Sequence, residues 1–152
     1  MKILDALSPE AIIPDLQSQD KLGILEELAT PVARSAKIAV EDIVRVLRDR
    51  ERLGSTGIGG GIGIPHGKLR DLDNLLLGFG ISRQGVDFES IDHRPTHIFF
   101  LLITPENSTG LHLKVLARIS RILKDELFKA RLMEADDAES LYAILAEEDE
   151  DF

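Results

Sequence analysis

Residues 50–68 read RERLGSTGIGGGIGIPHGK, and this run divides the chain into a helical part before it and a sheet-forming part after it. Seven glycines fall within the fourteen residues 54–67. No stable helix accommodates that, because glycine loses more backbone freedom on folding than any other residue. Immediately upstream, Val40, Ile43, Val44 and Leu47 recur at helical spacing, with Glu41, Asp42, Arg45 and Arg48 between them. The pattern predicts an amphipathic helix from about Val40 to Leu53. Before that, Leu22, Leu25, Leu28, Ala29 and Val32 predict another helix, capped by Asp20 and kinked or ended at Pro31. AIIPDL (11–16) reads as a short strand or an entry segment.

Downstream, LLLGFGIS (75–82) and THIFFLLI (96–103) are near-continuous apolar runs, as expected of strands covered on both faces. QGVDFESIDHRP between them reads as a turn, a short strand and a loop. TPENSTG (104–110) is a polar connector into a long helix with two apolar stripes. One is Leu113, Leu116, Ser120 and Leu123; the other is Val115, Ile119 and Ile122, so a wide buried arc is expected. Helical pieces follow at 125–134 and 137–147, and the acidic tail EEDEDF is expected to fray from about residue 147. Helices at both ends with strands between them predict one layered α/β domain over 1–152. We expect three layers, α/β/α, around a mixed sheet of about four to five strands.

Composition narrows the function. The 152 residues carry a formal net charge of -9, without a dense Lys/Arg block, which argues against nucleic-acid binding. The chain is 43% hydrophobic but only 5% aromatic, so its core must be built mainly from Leu, Ile, Val and Ala. It has no cysteine, so disulfides, thiol catalysis and thiolate-bound metals are excluded. MKILDALSPE reaches acidic residues at once and does not read as a secretory signal. IFFLLI (98–103) is too short to span a bilayer. A soluble cytoplasmic protein without membrane insertion is the expectation.

The glycine-rich loop is not a standard nucleotide cradle. Counting back from Gly67-Lys68 puts Ile62 where a P-loop needs its first glycine, and Leu69 follows the lysine. Every G-x-G start in the loop meets Ile62, Ile64 or His66 where the dinucleotide fingerprint needs its third glycine. What remains is Ile64-Pro65-His66-Gly67. Pro65 fixes its own φ and pushes Ile64 to an extended conformation. Gly67 lacks a Cβ, which is expected to let another molecule approach. A rigid, accessible histidine that is largely neutral near pH 7 suits nucleophilic attack on phosphorus. The same three residues also suit a plain turn.

The run over 50–68 resembles the active-site signature of the fructose/mannitol-type enzyme IIA domains of the bacterial phosphotransferase system. It is most similar to the nitrogen-related branch, whose loop reads G-S-T-G-I-G-x-G-I-A-I-P-H-G-K; Gly63 stands where that branch commonly has Ala. The resemblance covers essentially the whole chain. It implies that His66 is phosphorylated by an HPr-type phosphocarrier charged ultimately from phosphoenolpyruvate. It implies no metal and no organic cofactor.

By the same resemblance His112 is a second active-site histidine, and its ring N–H could bond a phosphoryl oxygen; a half-buried cap histidine is the alternative. Arg50 matches the family's arginine and could pair with phosphoryl oxygens; an ordinary residue at a helix end is the alternative. Ser55 and Thr56 could donate to the phosphoryl group or shape the turn after the helix. The amides of Gly57–Gly61 could form an anion nest. His93 and His97 have H-x-x-x-H spacing, but Pro95 between them argues against a metal site. The docking rim is expected at Ile58, Ile62 and Leu69.

Two roles follow from the resemblance. A regulatory protein would control partners through the phosphorylation state of His66. A sugar-specific protein would relay phosphate to a IIB partner. The stand-alone chain and the G-S-T-G-I-G wording favour the first. The ring nitrogen that takes the phosphoryl group is left open.

Overall fold

The computed structural model describes residues 2–149. A short 3-10 turn at Ile3–Ala6 leads into β1 (Leu7–Ile13), followed by α1 (Lys21–Ala36) and α2 (Val40–Glu51). Three short strands come from the glycine-rich region: β2 (Gly57–Gly59), β3 (Ile62–Gly63) and β4 (His66–Leu69). The long strands β5 (Leu76–Val86) and β6 (Thr96–Pro105) follow. The chain then turns helical through α3 (Thr109–Ile122), α4 (Glu126–Glu134) and α5 (Ala138–Glu148).

The sheet is mixed and six-stranded, ordered β1-β5-β6-β3-β2, with β4 also paired to β6. β5 and β6 run antiparallel through the centre, β1 lies parallel to β5, and both β3 and β4 lie parallel to β6. The near-continuous apolar runs are thereby explained: both central strands are covered on both faces.

Successive side chains of a strand point to opposite faces, which separates the two helical layers. Gly78 and Gly80 of β5 face α1. A Cβ on Gly78 would stand 2.8 Å from Val32 Cγ2, and one on Gly80 3.0 Å from Leu28 Cδ2, so these glycines let the helix settle onto the sheet. Phe79 and its register partner Phe100 point the other way and meet edge to face at 5.3 Å. Thr104 of β6 points that way too and meets His112 of α3. Arg83 of β5 donates to the carbonyls of Met133 and Ala135 at the end of α4, and α4 packs on α5. The layers are thus α1 and α2 on one face and α3 to α5 on the other.

Several sequence expectations change. The segment read as a strand or entry segment at 11–16 supplies only the end of the first strand, which occupies Leu7–Ile13. Pro31 does not end α1, which runs on to Ala36. Val32 and Ala33, just past the proline, are each 3% exposed; their burial outweighs one missing backbone hydrogen bond. No separate strand lies between the long ones, because β5 itself extends to Val86. Leu113 is 60% exposed, and the buried stripe of α3 is His112, Val115, Ile119 and Ile122. The tail is ordered further than expected. Glu147 pairs with Arg131, and the Asp149 carboxylate accepts from the amides of Ile3 (3.0 Å) and Leu4 (2.8 Å). Residues 150–152 lie outside the described residues.

Candidate functional site

His66 opens β4, in register with Leu102 of β6, and Lys68 is in register with Thr104. Alternation therefore puts His66 and Lys68 on the α3 side and Gly67 on the α2 side. This corrects one expectation. Space beside Gly67 is taken by Val46 of α2, whose Cγ2 would lie 3.3 Å from a Cβ there. The missing side chain serves helix packing.

The His66 ring is half-buried, with Nδ1 2.6 Å from the Ile64 carbonyl oxygen. A carbonyl can only accept, so Nδ1 carries the proton and Nε2 holds the lone pair. Pro65 lies between the two partners and stiffens this short bridge. Among the described residues nothing hydrogen-bonds Nε2. Burial pushes the imidazole below its ordinary pKa and the Arg50 charge adds to this, while the Ile64 bond and Glu51 oppose it. A depressed pKa keeps the ring neutral near pH 7.

His112 sits in the first turn of α3, with its ring centroid 5.4 Å from that of His66 and the planes tilted by 55°. The two readings of this residue meet in one place: the side chain is buried and it stands beside His66. Its Nδ1 is 2.6 Å from Thr104 Oγ1. Burial, then the proximity of His66 and Lys68, lowers its pKa to about 4.

The two rings share an open groove of about 480 Å³ with Val46, Asp49, Arg50, Leu53, Gly67 and Lys68. Arg50 Nη1 donates to the Gly54 carbonyl at 2.9 Å, which fixes the guanidinium at the end of α2. Lys68 Nζ donates to Thr109 Oγ1 at 2.9 Å, fixing a second cation at the start of α3. Chemically, the groove offers a neutral nucleophilic nitrogen, a second imidazole and two cations, a set suited to a transferring dianionic group. A cavity of about 500 Å³ elsewhere is lined by Lys21, Leu25, Arg48, Glu51 and Glu89. No imidazole lines it, so volume does not identify the site.

Ser55 and Thr56 are not brought to this groove. The Ser55 hydroxyl donates to the Phe88 carbonyl (2.8 Å) and accepts from the Gly57 amide (3.0 Å). Thr56 is buried, and its hydroxyl donates to Glu51, which also accepts from the Thr56 amide at 3.1 Å. Both residues shape the loop. Two of the amides weighed for a nest have partners within the chain: Gly60 donates to Asp92 Oδ2 at 3.0 Å and Gly57 to Ser55 Oγ at 3.0 Å. His97 Nδ1 donates to the Ser82 carbonyl at 2.9 Å. One residue of the expected apolar rim is withdrawn into the core. Ile62 is 2% exposed, whereas Ile58 and Leu69 are half-buried and keep part of their surface in solvent. Leu53, 83% exposed, is the apolar residue standing free at the groove.

Sequence reasoning missed Glu51 and Thr104 and gave Lys68 no role. Lys68 was within reach, because two residues along a strand return to the same face. Glu51 gathers Lys21 (2.8 Å) and Thr56 beneath the loop. Its signal was only a charged residue beside Arg50. Thr104 needs the β4–β6 register, which no local pattern encodes.

With this geometry in view, comparison with known proteins is specific. Residues 5–148 match the family model described as phosphoenolpyruvate-dependent sugar phosphotransferase system, EIIA 2. A nitrogen regulatory protein of Bradyrhizobium diazoefficiens is 40% identical over 146 residues, covering 96% of this chain and 95% of that protein. The fructose-specific EIIABC component of Bacillus subtilis is 33% identical across 98% of this chain, which spans 24% of that longer protein. The crystal structure of nitrogen regulatory protein IIA-Ntr from Neisseria meningitidis superposes with a TM-score of 0.88 at 33% identity, covering 94% of this chain and 98% of that one. Among the described residues no helix is long and apolar enough to cross a membrane. A matched family model along nearly the whole chain, relatives at this identity and an agreeing fold lead to one statement: the chain belongs to the EIIA 2 family of the phosphoenolpyruvate-dependent phosphotransferase system, related to nitrogen regulatory IIA-Ntr proteins.

Proposed function

We propose that this chain is a phosphoryl carrier that accepts a phosphoryl group on Nε2 of His66. The observation that carries this reading is the bond from His66 Nδ1 to the Ile64 carbonyl, which leaves Nε2 as the nitrogen with a lone pair on a ring that lines the groove. The donor is an HPr-type phosphocarrier bearing a phosphohistidine. The Nε2 lone pair attacks phosphorus in line, the donor's N–P bond breaks, and its electron pair returns to the donor nitrogen. The proton on His66 Nδ1 stays in place, and the Ile64 carbonyl stabilises the positive charge the ring acquires. His112, Arg50 and Lys68 hold the phosphoryl oxygens. Donor and acceptor are both nitrogen–phosphorus species, so the step needs positioning more than driving force.

The downstream role is regulatory: in the cytoplasm, the phosphorylation state of His66 controls which proteins the chain binds. Support comes from the 40% identity to a nitrogen regulatory protein along nearly the whole of both chains. A second reading, relay to a fructose- or mannitol-type IIB protein, is favoured by the 33% identity to the Bacillus subtilis component. The test is transfer of labelled phosphate from phosphoenolpyruvate through purified carrier proteins onto wild type and His66→Ala. Wild type should be labelled and the variant blank. Equal labelling of the two removes His66 from the reaction. Onward transfer from labelled wild type to a purified IIB protein would select the second reading.

A further inference from the structure

We infer that Thr104 is a positioning residue for phosphoryl transfer, its hydroxyl locking the His112 ring into the tautomer that carries its proton on Nε2. The inference rests on the proposal that His66 is the phosphoryl acceptor.

Thr104 is completely buried on β6, across from Lys68. A buried hydroxyl has one proton to give and loses stability if it gives it to nothing. Among the described residues its one hydrogen-bond partner is His112 Nδ1, at 2.6 Å. If Nδ1 of a neutral His112 carried a proton, that proton would point at the hydroxyl oxygen. The hydroxyl hydrogen would then be stranded in the core without an acceptor. Only one arrangement satisfies both groups. Thr104 donates, Nδ1 accepts, and the ring proton resides on Nε2. The His112 backbone is fixed in the first turn of α3, where its amide donates to the Ser108 carbonyl at 2.9 Å.

The consequence lies in the groove. His112 lines it beside His66, and its Nε2 is bonded to no described residue. With a proton there, the ring donates to a phosphoryl oxygen. In the other tautomer it would present a lone pair to a dianion, which repels. His66 and His112 therefore have their tautomers set in the same way, each through its Nδ1. Each imidazole has its Nδ1 engaged by a partner that sets its role: a carbonyl, which can only accept, makes His66 a nucleophile, and a buried hydroxyl with no other acceptor for its proton makes His112 a donor.

The test combines nitrogen-15 NMR of the imidazole rings with single-turnover phosphoryl transfer in wild type, Thr104→Ser and Thr104→Val. In wild type and Thr104→Ser, His112 should show an unprotonated Nδ1 and a protonated Nε2. In Thr104→Val, the Nδ1-protonated form should appear and transfer should slow by about 10- to 100-fold, by analogy with loss of the partner that fixes the tautomer of a metal-bound histidine. A purely structural threonine would alter stability without moving the tautomer. Wild-type His112 protonated on Nδ1, or a folded Thr104→Val with unchanged tautomer and rate, overturns the inference. If Thr104→Val does not fold, the wild-type and Thr104→Ser spectra still decide it. Absence of label on wild-type His66 would instead defeat the proposed function, and the tautomer spectra, which need no phosphate, separate the two failures.

Discussion

Val46 of α2 and Gly67 of β4 meet so closely that a Cβ on residue 67 would lie 3.3 Å from Val46 Cγ2 and 3.4 Å from the Val46 carbonyl oxygen. The strand that presents His66 is thereby pressed against the helix that presents Arg50. A single methyl at position 67 would push these elements apart and tilt the imidazole away from its neighbours in the groove.

Gly67→Ala should therefore destabilise the fold by about 1 kcal/mol, the lower end for overpacking a core contact. Val46→Ala removes one of the obstructing groups but leaves the backbone oxygen. In the double variant the combined loss should fall short of the sum by about 0.5 kcal/mol, as expected of residues in contact. Urea denaturation of the four proteins measures this. Strict additivity would mean that the two residues do not press on each other.

Glu51 ties the glycine-rich loop to the helical layer. Its carboxylate meets Lys21 Nζ at 2.8 Å and holds both the amide and the hydroxyl of Thr56. Lys21 in turn stands 4.9 Å above the Phe88 ring. The Glu51 side chain is only 6% exposed, whereas that of Lys21 is 18% exposed. Removing the charge in Glu51→Gln should cost about 3 kcal/mol, the low end for breaking a buried pair, since water reaches the lysine. Lys21→Met with Glu51→Gln should cost less than the sum of the single changes. Equilibrium unfolding of all four proteins is the check.

These contacts also mark how far the sequence could be read. Helices and long strands were legible because apolar periodicity is local: α2, β5 and β6 lie where their patterns put them. Pro31 misled because propensity is local and the burial of Val32 and Ala33 is not. Leu113 misled because α3 turns the neighbouring His112 inward, to a threonine on the sheet. His66 was legible as rigid, since proline and its neighbours act within three residues. The functions weighed for Ser55 and Thr56 depended on which way two hydroxyls point. That is decided by Phe88 and Glu51, distant or unremarked in the chain.

Protonation of the two site histidines gives stability a pH dependence of known sign. His112 has a native pKa of about 4, against roughly 6.5 for an exposed imidazole. Well above pH 6.5, from about pH 7.5, neither state binds the proton, and the residue contributes no slope. Between there and pH 4 the unfolded chain takes up a proton that the native protein refuses, so stability falls with falling pH. His66, also lowered, acts in the same direction. Carboxylates titrate below about pH 5, so the informative quantity is a difference between proteins. His112→Asn should show a shallower loss of melting temperature from pH 6.5 to 4 than wild type. Parallel curves would show that native His112 titrates normally.

Asp149 joins the two ends of the described chain. Its two carboxylate oxygens accept from the amides of Ile3 and Leu4 at 3.0 and 2.8 Å, and the residue is only 7% exposed. Asp149→Ala leaves two amide donors without partners, which should cost about 1–2 kcal/mol. The local signature is sharper than the global one. Hydrogen exchange at Ile3 and Leu4 should accelerate far more than at β6 amides. Unchanged protection of those two amides would mean that the tail does not hold the first turn in solution.

Leu53 offers a separation between docking and chemistry. It is 83% exposed at the groove edge, so it contributes little to folding. If the proposed carrier docks over this groove, burial of that side chain in the contact would contribute about 1–2 kcal/mol. Leu53→Glu should therefore keep the melting temperature within about a degree, consistent with surface substitutions. It should raise the carrier concentration needed for half-maximal phosphorylation about tenfold, as 1.4 kcal/mol implies. The rate at saturating carrier should change little, because His66, His112 and their partners are untouched. A lowered saturating rate with unchanged half-saturation would place Leu53 in the chemical step instead of the docking contact.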